Sequence, residues 1–394
     1  MSTIVGDIIT IGSRSSEDSA SEIYALINVT YPSGSVCTAT NGTLTLTALD
    51  TSGHAIFWIP EPTSTPETWT VSCTDGTDSD SLTISISAYG QIEEIELVNR
   101  ILNENSWNKI SEIAQAGKGD LYWDVGDCKE IVLNGKIGAD LTLTNLTLCV
   151  FILDFNHPIN KSTADNNIIW GGFKTSIDNG IDVCLKLPSR YGASYSSGKY
   201  FNLNHVYTTA SPGTFYNHGG WRCCDFRYDI LGATSKAPSV YNKVKTDSVV
   251  GYDATEATIT KPVANTLMSA LPDDLRAVLR LWNRYIDYKG NCSNTDANCS
   301  TPTVDAISLL AEFEVMGSRT YANQYEQNHQ KQMKYYTLGN QKRKYRYDSD
   351  SYYAMWWLAS PDSSNSSKFC YYGQYGVESQ HSACSIGLAP AFRI

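Results

Sequence analysis

At about Asn99 the spacing of the apolar residues changes, and this change divides the chain. Before it, apolar and polar residues alternate: Ile23, Ala25, Ile27 and Val29; Leu44, Leu46 and Ala48; Trp69, Val71 and Cys73; Leu82, Ile84 and Ile86. A period of two turns one face of a strand inward and leaves the other wet. Turn-forming residues separate these stretches at Pro32-Ser33-Gly34, Asn41-Gly42, Ser52-Gly53 and Asp75-Gly76. Short strands at this spacing predict a small β-sandwich of immunoglobulin-like type over 21–98, after an N-terminal segment, 1–20. Cys37 and Cys73 can face each other across such a sandwich, as a disulfide or as buried thiols.

Beyond Asn99, Trp107, Ile110, Ile113 and Ala114 recur at helical spacing, and Gly117 follows as a stop. Alternation returns at 131–133 and at Leu141 and Leu143, with an apolar run from Leu148 to Phe155. A second helix is expected from Pro272. Proline suits the first helical position, Asp273 and Asp274 suit the positive end of the helix dipole, and Leu275, Val278, Leu279 and Trp282 make an apolar stripe. A third, shorter helix is expected through His329, Met333 and Tyr336 to Gly339. Helices set against irregular, mainly antiparallel sheet make an α+β domain over 99–394.

The formal net charge is -11, so the chain gains nothing from counterion release on nucleic acid, which is not an expected partner. No run of about 20 apolar residues predicts membrane insertion. Met1 to Ser16 lacks the basic stretch and apolar run of a signal peptide. The expected location is the cytoplasm, or an external display position reached without a secretion signal, as by a virion component. The 11 cysteines form no CxxC pair with a matching partner; buried free thiols are expected instead of a zinc site.

Several candidate sites have plain alternatives. Cys223-Cys224 is read as packing, since adjacent cysteines seldom pair with each other. Asp348, Asp350 and Asp362 are spread through loop sequence and do not form a convergent oxygen cage for a cation. Lys342-Arg343-Lys344 with Arg346 is read as a solvated loop or scaffold salt bridge rather than an anion site. Asn291-Cys292-Ser293 and Asn298-Cys299-Ser300 have the spacing of a glycosylation acceptor or a small loop disulfide. No His/Asp arrangement activates a nucleophile. The expectation is no catalytic residue, no metal and no cofactor.

The last fifty or so residues are chemically different. Ser, Tyr, Asn, Gln and His dominate between Ser351 and Ser385, while Trp356-Trp357 and the closing block Gly387 to Ile394 are apolar. The chain as a whole has 25 Tyr and 9 Trp against 10 Phe, and the first two can bury a ring while offering a polar handle. Tyr with Ser is the composition of a recognition surface: rigid contact area from one, adaptable hydrogen bonding from the other. A disordered tail would carry few aromatics.

This pattern of a Trp-Trp pair, a Ser-Pro, a Ser/Tyr/Asn-rich interval and a closing GLAPAFRI resembles the variable region of proteins served by diversity-generating retroelements. Further stretches are similar to gut-phage members: Asn105 to Trp107, Tyr122 to Cys128, Ile152 to His157, Gly219 to Trp221, Tyr228 to Gly232, Pro262 to Asn265 and Leu310 to Glu314. The resemblance implies a C-type-lectin-like domain over 99–394, related to the formylglycine-generating enzyme fold, with a variable region at about 345–394. It also implies that the immunoglobulin-like domain is an accessory. In that family, mutagenesis falls on template adenines, usually in asparagine codons, and yields Tyr, Ser, Asp, His, Ala, Phe or Cys without a stop. Met355, Lys368, Gln374, Glu378 and Gln380 do not arise that way.

The expected ligand-binding residues are Tyr352, Tyr353, Asp362, Ser363, Ser364, Ser366, Ser367, Tyr371, Gln374, Tyr375, Ser379, Gln380, His381 and Ser382. Around Phe369 to Tyr372, alternation places Phe369 and Tyr372 inward and Tyr371 outward. The whole set is expected on one solvent-facing surface, with Trp356 and Trp357 buried beneath it. The implied partner is a protein or glycan ligand on a bacterial surface, met from a phage tail or an equivalent display position; a homo-oligomer is among the expected partners. Two other functions compete. A structural virion protein, fibre or baseplate, leaves the Ser/Tyr-rich interval unexplained. An enzyme of the formylglycine-generating fold needs a pair of reactive cysteines in a cleft.

Overall fold

A computed structural model of the chain describes residues 5–14, 22–31, 33–48, 53–59, 67–77, 79–86, 98–158, 160–161, 163, 165–186, 201, 203–204, 217, 219–236, 251–288, 302–381 and 384–394. It is a mixed α+β structure, mostly sheet, in two compact units, Met1–Val98 and Asn99–Ile394.

In the first unit, strands β1 (Val5–Arg14), β2 (Glu22–Thr30) and β5 (His54–Ile59) form one antiparallel sheet. Strands β3 (Val36–Thr40), β4 (Thr45–Thr47), β6 (Glu67–Thr74) and β7 (Ser79–Ile86) form another, in the order β4-β3-β6-β7. Of the alternating residues read from the sequence, Ile27, Val29, Trp69, Val71, Cys73 and Ile84 lie inward and meet Phe57, Cys37 and Ala39 in one apolar cluster, whereas Leu44, just before the edge strand β4, is exposed. Cys37 and Cys73 form a disulfide. It does not cross from sheet to sheet as expected. The two cysteines are register partners on adjacent strands β3 and β6, with Cα atoms 4.1 Å apart.

The second unit is built on a seven-stranded sheet. Strands β8 (Cys128–Ile137), β9 (Leu141–Phe155), β10 (Ile168–Lys174), β11 (Asp182–Cys184), β14 (Lys344–Arg346) and β15 (Ser349–Ala354) lie side by side, and β19 (Ala391–Arg393) pairs with β10. All these pairings are antiparallel except β11 with β14. Strands β12 (Trp282–Arg284) and β13 (Thr303–Asp305) form a ribbon. Strands β16 (Trp356–Pro361), β17 (Lys368–Tyr372) and β18 (Val377–His381) form a separate three-stranded sheet in that order.

Helix α1 (Trp107–Gln115) begins where expected, with the Ser106 hydroxyl accepting from the Lys109 N–H at 3.1 Å. Its apolar face buries Trp107 against Trp170 of β10, ring centroids 5.0 Å apart. Short helices follow: α2 (Gly119–Tyr122), α3 (Glu256–Thr260), α4 (Leu267–Ala270), α5 (Asp273–Val278), α6 (Glu312–Met316), α7 (Glu326–His329) and α8 (Lys334–Thr337). The helix expected from Pro272 is shorter than its apolar stripe. It stops at Val278 because Arg280 N–H bonds the Arg393 carbonyl and Trp282 joins β12. The helix expected through His329 to Gly339 is two pieces, α7 and α8. Met333 between them is extended and gives its N–H to the Glu314 carbonyl. In both cases a tertiary bond overrides helical propensity.

Cys292 and Cys299, with their neighbouring Asn and Ser residues, lie outside the described residues. Replacing Cys37 and Cys73 together by Ala should destabilise the first unit by about 2–4 kcal/mol. A calorimetric scan should show that transition moving down, while the transition of the second unit stays in place.

Candidate functional site

Strand β16 anchors the C-terminal segment. Trp356 and Trp357 are fully buried, as the sequence predicts. The indole N–H of Trp356 donates to the Lys342 carbonyl at 3.1 Å, and that of Trp357 to the Phe201 carbonyl at 2.8 Å. Each also faces a tyrosine on β17: Trp356 is in register with Tyr372, and Trp357 with Tyr371. The other side of β16 meets the closing block. Trp357 N–H bonds the Gly387 carbonyl, and Gly387 N–H bonds the Met355 carbonyl. A Cβ at Gly387 would collide with Cys184 Sγ and the Met355 carbonyl, so this close approach requires glycine.

Beneath β16 and β17 lies a buried carboxylate network. The Glu312 side chain accepts the backbone N–H groups of Thr320 at 2.5 Å, Tyr321 at 3.0 Å and Ala322 at 2.7 Å. The Ser360 hydroxyl accepts from Glu312 N–H at 3.0 Å and donates to Glu326 at 2.6 Å. Glu326 also accepts the Asp287 N–H at 2.8 Å. Burial pushes the Glu326 carboxyl up to about 8, against the hydrogen bonds that favour its charge. Cys370 of β17 is buried beside Glu312, and burial pushes its thiol well up.

The structure sorts the expected contact residues into three groups. The first stays available for contact. Tyr353 is 44% exposed and Tyr375 86% exposed. Ser364 and Gln374 are exposed, and Ser363, Ser366, Ser367, Ser379 and Gln380 are half-buried. Tyr375 occupies the 373–376 turn, which Gly373 N–H closes onto the Gly376 carbonyl at 2.8 Å. Tyr353 sits with its ring 4.8 Å from Tyr345 and under the Arg343 guanidinium at 5.3 Å.

The second group is supporting structure, which corrects two expectations. Tyr371 does not point outward; it is buried edge-on to Trp357, and its hydroxyl donates to Glu378 across the strand pair. The alternation rule assumed one wet face, but Phe369, Cys370 and Tyr371 are all buried, so both faces of β17 are covered. Tyr372, expected inward, is half-buried. Asp362 is buried too, its carboxylate accepting the Ser364 N–H at 2.9 Å and the Ser364 hydroxyl at 2.7 Å. It shapes the loop and is not available for contact. The third group lies beyond description: the side chains of Tyr352 and His381, and all of Ser382.

The available residues do not form one compact cluster. The loop 362–367 leads into β17 at Lys368, whereas the turn 373–376 leaves it at Tyr372. The two therefore lie at opposite ends of a five-residue strand, about 17 Å apart at about 3.3 Å per residue. Tyr353 belongs with the Tyr375 end, because β15 runs into Trp356, the partner of Tyr372. Ser379 and Gln380 lie between the two ends on β18, whose only strand partner among the described residues is β17.

The other candidates resolve into scaffold. Lys344 is buried, 3.5 Å from Asp182, with its ammonium over Phe151 and Trp356. Arg346 pairs with Asp348 at 2.6 Å. Cys223 and Cys224 are buried, and the Cys224 thiol donates to the Leu203 carbonyl at 2.8 Å. Among the described residues, no three His, Cys, Asp or Glu side chains converge as a metal cage. Sequence reasoning missed the roles of Glu312, which gathers the backbone of 320–322, and of Asn217 and Glu326, whose partners lie dozens of residues or more along the chain and leave no local signal.

A family model described as a domain of unknown function (DUF6273) matches residues 248–394. No curated protein and no solved structure matches the chain.

The raised Glu326 carboxyl gives a testable pH dependence. A carboxyl whose folded value exceeds its unfolded value contributes stability that is present below the unfolded value and is lost as pH rises through the folded one. For Glu326 that window runs from its ordinary 4.5 to about 8. Glu326→Gln does not titrate. The melting-temperature difference between variant and wild type should therefore move in the variant's favour from about pH 5 to about pH 8. A constant difference would mean that Glu326 does not titrate in this window.

Proposed function

We propose that the chain is a ligand-recognition protein whose C-terminal segment displays a diversified Tyr/Ser-rich surface. On this reading the second unit is a C-type-lectin-like scaffold, the first an immunoglobulin-like accessory, and the chain the variable protein of a diversity-generating retroelement. The display position is a phage tail or its equivalent. The observation that carries the reading is the division of labour within 349–394. Trp356, Trp357, Tyr371 and the closing block are buried in the scaffold, while Tyr353, Ser364, Gln374 and Tyr375 stand out from it. A surface tolerates wholesale substitution only where side chains do not pack the core.

The spread of the contact residues favours a large partner. A ligand touching both ends of β17 spans about 17 Å, more than a small molecule reaches and well within a protein surface or a glycan chain. Such a partner fits a bacterial surface. Tyr375, projecting from its turn, is the natural anchor, since Tyr is enriched among residues that dominate binding energy.

Replacing Tyr353 and Tyr375 together by Ser should weaken binding to the bacterial target by about tenfold or more. Surface changes of this kind should move stability by no more than about 0.5 kcal/mol. Tyr371→Ser should instead cost about 3–5 kcal/mol, as loss of a buried aromatic does. Unchanged binding in the double variant would move recognition elsewhere in the chain. The retroelement origin has its own test in the flanking DNA. A near-copy of the segment encoding about 345–394, differing chiefly at adenines and lying beside a reverse transcriptase gene, is expected; a flank without them removes that part of the reading.

A further inference from the structure

Asn217 lies more than a hundred residues before the display segment and outside the matched domain. Its side chain is fully buried. The amide nitrogen donates to the carbonyl oxygens of Asp362 at 3.1 Å, Asn365 at 2.6 Å and Lys368 at 3.0 Å. Its backbone N–H donates to the Ser366 carbonyl at 3.0 Å. Every one of these acceptors belongs to the main chain of the loop 362–368. Among the described residues, the buried amide oxygen of Asn217 has no hydrogen-bond partner. Turning the amide over would aim that oxygen at three carbonyls, so the orientation is fixed by charge as well as by shape.

The loop completes its own path with two consecutive Asx turns. Asp362 accepts the N–H and hydroxyl of Ser364, and Asn365 accepts the N–H of Ser367 at 3.0 Å and its hydroxyl at 2.9 Å. In both turns the serine hydroxyl repeats a bond that the backbone N–H already makes to the same oxygen. Ser363 N–H and hydroxyl likewise share the Tyr321 carbonyl. The loop path is therefore written by Asn217, Asp362, Asn365 and main-chain groups. The identities of the side chains at 363, 364, 366 and 367 are not needed for it.

We propose that Asn217 is the positioning residue of this loop. It holds 362–368 in one conformation through main-chain carbonyls alone, so that residues 363, 364, 366 and 367 are exchangeable without moving the loop. The functional use of that property rests on the recognition reading above. A loop ordered before contact loses little conformational freedom on binding, so each exchanged side chain meets a macromolecular partner from a fixed place.

Hydrogen exchange on the full chain, without any ligand, tests the positioning role. Asn217→Asp keeps the shape but sets a carboxylate against three carbonyl oxygens. Exchange at the amides of Ser364, Asn365 and Ser367 should accelerate about tenfold or more while α1 and β9 keep their protection. If that variant does not fold, Asn217→Ser, which removes the amide and its repulsion, should give the same local effect. A second variant carries Ser363→Ala, Ser364→Tyr, Ser366→Asp and Ser367→His together. It should leave loop protection and melting temperature at their wild-type values. Unchanged loop exchange in both Asn217 variants, or loss of loop protection in the quadruple variant, overturns the proposal. A library randomised at 363, 364, 366 and 367 and panned on immobilised streptavidin separates the two claims. Binders recovered with Asn217 and lost with Asn217→Asp support both. Absence of binders in either background counts against the recognition reading, while the exchange data still decide the role of Asn217.

Discussion

Leu388 and Leu185 exchange hydrogen bonds at 2.7 and 2.9 Å, and the rest of the C-terminal segment depends on the stitching that begins there. Ala391 and Ser308 exchange another pair, β19 lies against β10, and Ile394 bonds Ile168. The last residues of the sequence thus sit in the middle of the second unit. Because Gly387 is bonded on one side to Met355 and Trp357, the same stitching fixes where β16 runs. Everything between Pro361 and Ser385 is then held at both ends by buried structure, whatever lies between.

Burial also explains why the support beneath the display segment is polar. A sheet resting only on apolar side chains could slide by two residues, which keeps each side chain on its face, at modest cost. Glu312 gathers the backbone of 320–322 and reaches Cys370, and Ser360 ties Glu312 to Glu326. Each of these bonds is directional and the carboxylates of Glu312 and Glu326 are fully buried, so a register slip would strand several polar groups at once. Asn217 extends the same logic to the loop above. Specificity of position comes from buried polar contacts, while the apolar cluster around Trp356 supplies bulk cohesion.

Much of this was legible in the sequence where a local pattern has a single physical meaning. The period-two stretches before Asn99 named Ile27, Val29, Trp69, Val71, Cys73 and Ile84 of the first unit's core, and erred at Leu44. Trp107, Ile110, Ile113 and Ala114, with Gly117 as a stop, named α1, and the apolar ends of the C-terminal segment named its scaffold. The failures share a cause. Tyr371 was placed outward because a strand with one wet face alternates, and nothing local says that both faces of β17 are covered. Asp362 has the composition of a contact residue and the role of a turn-former. The pairing of Cys37 was right in partner but wrong in geometry, since alternation does not say which strands are neighbours. Asn217 and Glu326 act on groups dozens to more than a hundred residues away, and no window of sequence contains both ends of such a bond.

Among the described residues β18 pairs with β17 alone, and this has a consequence for the kinds of sequence the segment can hold. The bond from Gly373 to Gly376 fixes the phase of the ladder, so the register pairs Tyr371 with Glu378 and Phe369 with Gln380 as the hydrogen-bonded ones. The N–H groups of Glu378 and Gln380 then point at β17, while those of Val377, Ser379 and His381 point away from it. Proline lacks that N–H and so can enter only at the second kind of position. Substitution along this strand is thus filtered residue by residue through the backbone, in a two-beat rhythm of permitted and forbidden imino acids that is independent of what the side chains bind.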